Sequence, residues 1–160
     1  MQNFLTGTLL LATCALSSTA AAEDLKIYAN IVTHVDAHND AKDFGVGHRR
    51  IRENEIRLSE DGKVVGKSYS ISSVVDVNHK EGTGSRVALG VTELPKGTIW
   101  TEAKAANMPH KATIQLGHQH AGIILGGTRD YEGVKGTYDF EVRKDGKHVV
   151  TVFHIVREKK

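Results

Sequence analysis

The stretch from residue 126 to residue 136 constrains the fold of this chain most, because glycine occupies positions 126, 127, 133 and 136. Apolar segments that read as strands flank it on both sides. Glycines spaced in this way indicate backbone that adopts a positive φ or passes close to a neighbouring strand, as at the corner of a barrel. The pattern therefore predicts a tight corner between two late strands.

The rest of the chain alternates apolar and polar residues in short segments, and no window shows helical periodicity. Asp-Gly pairs at Asp61-Gly62 and Asp145-Gly146 supply the positive φ of hairpin turns, and Asn107-Met108-Pro109 is expected to break the fifth strand. The predicted strands are Leu25 to His34, Ile51 to Leu58, Val64 to Val77, Arg86 to Thr92, Thr98 to Ala105, Ala112 to Leu125, Val134 to Arg143 and His148 to Val156. This pattern predicts an all-β fold, an antiparallel barrel or sandwich. A closed barrel of eight strands has room for side chains or one small ligand.

The first 22 residues have the character of a signal peptide. They carry no charged side chain, contain the apolar run Leu9 to Ala12, and end in Ala20-Ala21-Ala22. Small residues before the cut favour cleavage after Ala22, so residues 1–22 are predicted to be a leader and residues 23–160 a single secreted or periplasmic domain. The apolar run is too short for a membrane span. Cys14, the one cysteine, lies in that leader, which excludes a disulfide or a thiol nucleophile from the mature chain.

Composition and motifs narrow the function classes. The 21 basic and 19 acidic residues nearly balance, so the charge does not favour nucleic acid as a partner. Neither a Gly-x-Ser-x-Gly elbow, a P-loop nor a His-Glu-x-x-His motif occurs, which disfavours serine hydrolase, nucleotide and zinc protease chemistry. No cofactor is predicted.

The run Gly126-Gly127-Thr128-Arg129-Asp130-Tyr131-Glu132-Gly133-Val134-Lys135-Gly136 resembles the GGTG-x-[FY]-x-G-[AV]-x-G signature of the calycin-like allene oxide cyclase and dirigent-protein barrels, with Arg129 in place of the third glycine. The resemblance implies a closed eight-stranded barrel of a bacterial-type secreted member, forming a homodimer or homotrimer. Plant cyclases of this family convert a fatty-acid epoxide into a cyclopentenone inside the barrel. Dirigent proteins steer the coupling of phenoxy radicals that another enzyme makes.

The family's site residues do not transfer directly to this sequence. Plant cyclases carry a Glu near the aromatic residue of the first strand, whereas here Tyr28 is followed by Ala29 and Asn30. Asn30 cannot act as a carboxylate base, but its amide can hold a water or a carbonyl oxygen. The resemblance thus predicts the fold and leaves the substrate open.

His118 and His120 form the sharpest local motif. Residues two apart on a strand face the same side, so both imidazoles could serve as a pocket acid and base or, as in cupins, bind a metal with His154. Two half-exposed histidines on a sheet face are the alternative. Strand parity groups them with Gly122 and Ile124, and an inward direction for this face would place them in the cavity.

The remaining candidates are aromatic or basic. Tyr138 shares a strand face with Phe140 and is either a core aromatic or a phenol that hydrogen-bonds a substrate. Trp100 is expected to lie on the outside of the barrel or at one of its mouths, and it is a candidate substrate contact. The basic run Arg49-Arg50-Ile51-Arg52 is interpreted as a solvated loop end, with bidentate binding of a substrate carboxylate as the alternative.

These observations predict a small exported barrel that binds an apolar or phenolic molecule and promotes its cyclisation or isomerisation without a cofactor. Asn30, His118, His120 and Tyr138 are the predicted catalytic residues, and Tyr28, Phe140 and Trp100 the predicted substrate contacts. The first alternative is a non-enzymatic, dirigent-like binding or stereo-directing protein. The second is a cupin-like metal protein that uses His118 and His120.

Overall fold

The computed structural model describes residues 21–37, 45–78, 80–109 and 117–157. The strands are β1 (Ala21–Ala37), β2 (Arg49–Arg57), β3 (Gly66–Asn78), β4 (Thr83–Leu94), β5 (Gly97–Pro109), β6 (Gly117–Gly127), β7 (Lys135–Val142) and β8 (His148–Arg157), with one 3-10 turn at Arg129–Tyr131. Every strand pairs antiparallel with its sequence neighbour, and β1 pairs with β8 from Ala21–Arg157 to Asn30–His148. The closed eight-stranded barrel predicted from the alternation is confirmed.

The turn chemistry of the two Asp-Gly sites differs. Gly146 has a φ of 67° and donates its N–H to the Arg143 carbonyl at 2.9 Å, as the hairpin prediction requires. At the other site the connection spans residues 58–65, and Gly62 does not enter the left-handed region. The predicted hairpin is confirmed, because β2 and β3 pair antiparallel on either side of this connection, but the positive φ predicted at Gly62 was wrong. Gly62 instead donates its N–H to the Ser59 carbonyl at 3.1 Å.

The fifth strand is longer than the sequence predicted. It continues through Asn107 and Met108 and ends at Pro109, which pairs with Thr83 of β4. Proline lacks only a backbone donor, so at the last position of a strand it removes no hydrogen bond from the interior of the ladder. The predicted break at Asn107 was wrong for this reason.

The apolar core occupies one end of the barrel. Its buried members come from β1, β2, β4, β5, β6, β8 and the β6–β7 connection: Ile27, Ala29, Ile56, Leu94, Ile99, Ile124, Tyr131, Val134, Phe153 and Ile155. Ile56 and Ile99 have no exposed surface. Because each fully buried side chain of this size contributes about 1.5–3 kcal/mol, this cluster is the main source of the barrel's stability. Within the described ranges, no helix has the length and apolar character that a membrane crossing requires.

The glycine-rich connection closes the apolar end of the barrel. Gly136 has a φ of 142°, and a Cβ there would lie 1.9 Å from the His154 carbonyl oxygen. A Cβ at Gly127 would lie 2.3 Å from the Thr98 carbonyl oxygen. Tyr131, 6 % exposed, packs into the core between these close approaches. The predicted corner is thus confirmed, and it depends on backbone contacts that no side chain would permit.

Candidate ligand-binding interior of the barrel

The inner face of β2 changes from apolar to basic along its length. Because side chains alternate across a strand, Arg50, Arg52 and Asn54 face the same side as the fully buried Ile56. Arg50 is 8 % exposed, while its neighbours Arg49 and Ile51 are exposed on the outer face. The barrel therefore has an apolar end and a basic end on the inside.

Small side chains line the inner wall next to these arginines. Ser70 pairs with Arg52 and with Gly90, and Ser72 pairs with Arg50 and with Ala88. These small residues are neither fully buried nor exposed, although they share a face with core residues on their own strands. Short side chains on this wall occupy less of the interior than the large apolar residues of the core do.

Tyr138 and Thr101 form a polar pair between the two ends. The Tyr138 ring packs 5.9 Å from the ring of Phe153, and Thr101 is 6 % exposed. Burial raises the pKa of Tyr138, against the opposing effect of its side-chain hydrogen bond with Thr101. The phenol is therefore protonated at neutral pH and serves as a hydrogen-bond donor.

Gly90 leaves room for this pair. It lies opposite Thr101 in the β4–β5 register, and a Cβ at this position would lie 2.5 Å from the Thr101 Oγ1 atom. Any larger residue would displace the hydroxyl that bonds Tyr138. The absence of a side chain at Gly90 thus permits the Thr101 rotamer that places its hydroxyl beside Tyr138.

The basic end holds a hydrogen-bonded network. Arg50 Nε donates to Asp36 Oδ1 at 2.8 Å, and His48 Nε2 lies 3.8 Å from the same oxygen. Arg86, which is 6 % exposed, donates from Nη1 to Ser72 Oγ at 3.3 Å and has its Nη2 3.4 Å from His48 Nδ1. Partners from β1 and β3, together with His48 just before β2, thus hold two of the arginines in fixed positions.

The charges in this network shift one another's pKa values. Burial alone would raise the pKa of Asp36, but the hydrogen bond and charge of Arg50, together with His34, lower it to about 2. Burial lowers the pKa of Arg52 to about 10, and the charge of Arg50 acts in the same direction. The pKa of Arg86 also falls to about 10, through burial and then through repulsion by Arg50. The guanidinium groups of Arg52 and Arg86 therefore remain charged at neutral pH, and the charge of Arg50 repels both.

Three of the residues predicted to touch substrate lie on the outer face. Tyr28 and Asn30 alternate with the buried Ile27 and Ala29, and Lys26 Nζ lies 5.2 Å above the Tyr28 ring on the outside. Trp100 is 42 % exposed on the outer side of β5. These positions do not line the interior, because strand parity places their buried neighbours there instead.

Tyr138 and Phe140 do lie on the inner face of β7, together with the buried Val142. His118 and His120 lie in β6, where their backbones pair with Glu141 and Asp139. Their side chains lie outside the described part of the structure, so their predicted roles stay predictions.

A register irregularity between His120 and Gly122 interrupts the parity that grouped the two histidines with Gly122 and Ile124. His154, the third ligand of the metal hypothesis, instead lies within hydrogen-bond distance of Asp24 and Asp139. Among the side chains that the structure describes, no three His, Cys, Asp or Glu residues group as a metal site.

The arginine cluster was underestimated from the sequence. The run Arg49 to Arg52 was interpreted as a solvated loop end, but β2 begins at Arg49 and turns Arg50 and Arg52 inward. The one local signal is the spacing of Arg50, Arg52, Asn54 and Ile56 at every second position. His48, Arg86, Thr101 and Gly90 carried no comparable signal, because they join the interior only through cross-strand pairing.

Comparisons with known proteins agree with this fold. No protein-family model matches the sequence, and no curated protein matches it. A pyocyanin demethylase superposes with a TM-score of 0.65 at 17 % identity, over 83 % of this chain and 99 % of that one. AbnU, an exo-specific intermolecular Diels-Alderase, gives a TM-score of 0.67 at 13 % identity, over 87 % and 99 %. The pterocarpan synthase dirigent protein GePTS1 gives 0.61 at 14 % identity, over 98 % and 100 %.

These likenesses define the class of fold. The chain is a closed β-barrel of the kind found in Diels-Alderases and dirigent proteins, as its glycine-rich connection suggested. Sequence identities this low support a shared fold but not a shared reaction. The chemistry therefore has to be argued from the interior itself.

Proposed function

We propose that this barrel binds a small apolar or phenolic molecule in its interior and promotes its cyclisation or isomerisation without a cofactor. The observation that carries the proposal is the inner face. Small, partly exposed residues on β3 and β4 share the inner face of the barrel with the protonated Tyr138–Thr101 pair and with the apolar core. Such an interior combines apolar surface with a few convergent polar groups, as small-molecule sites do.

The chemistry suits a site that works by confinement. Holding a flexible substrate in one reactive conformer lowers the entropic part of the barrier to ring closure. The Tyr138 phenol donates a hydrogen bond to a carbonyl or ether oxygen on which negative charge develops. Thr101 orients the phenol, and Phe140 supplies apolar contact on the same face.

A dirigent-like role is the second candidate. Tyr138 and Thr101 are both hydroxyl side chains, which orient a ligand by hydrogen bonding without transferring a proton to or from it. A stereo-directing protein needs no more than this from its binding site. The two candidates differ in whether the bound molecule changes when no other enzyme is present.

Binding in the interior is tested with naphthylmethanol, a neutral apolar alcohol, titrated by calorimetry into the wild type and two variants. Ala88→Phe places a ring in the interior, and Val87→Phe places the same ring on the outer face of the same strand. We expect Ala88→Phe to abolish binding and Val87→Phe to retain it. Equal affinity in all three proteins would contradict binding in the interior.

Turnover is tested on small molecules that copurify with the wild-type protein, identified by mass spectrometry. Cyclisation or isomerisation without a cofactor keeps the molecular mass and changes the chromatographic retention. We expect wild type and Val87→Phe to convert the compound and Ala88→Phe to leave it unchanged. A compound that binds and is never converted favours the dirigent-like candidate.

Export with cleavage after Ala22 is also part of the proposal. Cleavage there would remove the register pairs of Ala21 and Ala22 with β8 and keep those from Glu23–Ile155 to Asn30–His148. The barrel seam would thus remain closed in the mature chain. N-terminal sequencing of protein from the extracytoplasmic fraction should give Glu-Asp-Leu, and a retained Met1 would contradict the assignment.

A further inference from the structure

Three guanidinium groups share the basic end of the interior, and the charge of Arg50 repels the other two. Arg50, Arg52 and Arg86 meet there, and Asp36 is the carboxylate whose charge acts on Arg52 and Arg86. Asp36 is engaged by the Arg50 guanidinium at 2.8 Å. Like charges held together in a partly buried site repel one another, and an anion bound between them offsets that repulsion.

Arg52 is the member best placed to meet such an anion. Its Nε is buried and has no hydrogen-bond acceptor among the described residues. It lies opposite Ser70, a residue with a short polar side chain. A guanidinium presents parallel N–H donors that match the two oxygens of a carboxylate.

Asn54 is the next residue of β2 after Arg52 that faces the interior. Asn54 donates to Ser68 Oγ at 2.8 Å, while its Oδ1 is buried without a donor in the described structure. Beyond it, Ile56 belongs to the apolar core. Along β2 the inner face therefore passes from the Nε donor of Arg52, through the Oδ1 acceptor of Asn54, both without a partner in the described structure, to the apolar core.

We infer that the guanidinium cluster of Arg50, Arg52 and Arg86 binds the carboxylate of an apolar carboxylic acid, whose body extends toward Tyr138 and the apolar core. This inference rests on the proposed function, because it names the substrate class of the same interior. Arg52 makes the direct bidentate contact. Arg50 and Arg86, held by Asp36 and Ser72, add charge from fixed positions.

The test compares two probes of the same shape, naphthoate and naphthylmethanol, by calorimetry at neutral pH and low salt. For the wild type we expect the acid to bind at least about tenfold more tightly than the alcohol, which is the effect of one charge-assisted contact. Arg52→Gln should abolish this preference and leave the affinity for the alcohol unchanged. Arg49→Gln, on the outer face of the same strand, should change neither affinity.

Stability separates a binding role from a structural one. If Arg52 serves ligand binding and not folding, Arg52→Met should unfold at the same or a higher urea concentration than wild type when no acid is added. The reason is that the substitution removes a buried charge that its neighbours repel. Naphthoate should then raise the unfolding midpoint of wild type and Arg49→Gln, but not of Arg52→Met. A large loss of stability in Arg52→Met would show that Arg52 is a structural residue.

The remaining outcomes are also decisive. Equal binding of both probes to the wild type would overturn the carboxylate site and leave the small-molecule barrel standing. Equal losses of acid binding in Arg52→Gln and Arg49→Gln would show a general charge effect and overturn the site. Failure of both probes to bind the wild type would contradict the proposed function together with this inference.

Discussion

Asp24 and His154 are register partners on β1 and β8, and Asp24 Oδ1 lies 2.8 Å from His154 Nδ1 where the barrel closes. On the other side of the ring, His154 Nε2 lies 3.3 Å from Asp139 Oδ2 of β7. One imidazole thus joins three consecutive strands on the outer surface. The side-chain hydrogen bonds to Asp24 and then to Asp139 raise the pKa of His154.

This pair predicts a pH-dependent contribution to stability. Because the folded pKa of His154 exceeds its unfolded value of about 6.5, the stabilisation is fully present below that pH and is lost as the pH rises through the folded pKa. His154 is 40 % exposed, so we expect at most about 1 kcal/mol after solvent screening. The free energies of unfolding in urea of wild type and His154→Gln should differ at about pH 5.5 and become equal at about pH 9. A difference that does not change with pH would contradict this role.

Arg129 predicts a stabilising substitution. It has a φ of 54°, the one described non-glycine residue in the left-handed region, at the position where the resembled signature has glycine. Relief of this strain in Arg129→Gly should raise the free energy of unfolding by about 1 kcal/mol. Arg129→Ala keeps the Cβ and should give no gain. Equal stability of the two variants in urea would contradict the strain argument.

Glycine-to-alanine substitution at two positions of the glycine-rich connection is predicted to lower the free energy of unfolding by very different amounts. Gly136→Ala would put a Cβ 1.9 Å from the His154 carbonyl oxygen and should cost at least about 3 kcal/mol or prevent folding. Gly133→Ala, with a φ of 72° and open space around it, should cost only about 1 kcal/mol. Thermal unfolding measures both. Similar losses would show that backbone strain, not strand contact, governs the corner.

Loss of the Tyr138–Thr101 hydrogen bond is predicted to lower the free energy of unfolding of the protein. Tyr138→Phe leaves the buried Thr101 hydroxyl without its partner and should lower the free energy of unfolding by about 1 kcal/mol. Tyr69→Phe, 38 % exposed on the outer face, is the matched control and should change it by less than about 0.5 kcal/mol. If both variants unfold at the wild-type denaturant concentration, the pair contributes nothing to stability.

Local alternation predicted the strands well, because the period of two is a property of each segment alone. It also grouped Tyr138 with Phe140 on one face of β7. Alternation within one strand does not show where pairing with a neighbouring strand shifts the register. The irregularity between His120 and Gly122 breaks the parity that linked the histidines to Ile124, and no pattern within β6 reveals it.

The sequence by itself determined an all-β chain with a glycine corner late in its length, since alternation and positive-φ glycines act over a few residues. Only the tertiary structure decided which face of each strand became the inside. Arg50 could turn inward because the neighbouring strands supply Ser72 and the Asp36 carboxylate. Tyr28 was left outside because Ile27 and Ala29 fill the core. The inside of a barrel is defined jointly by all of its strands, so residues far apart in the chain decide it together.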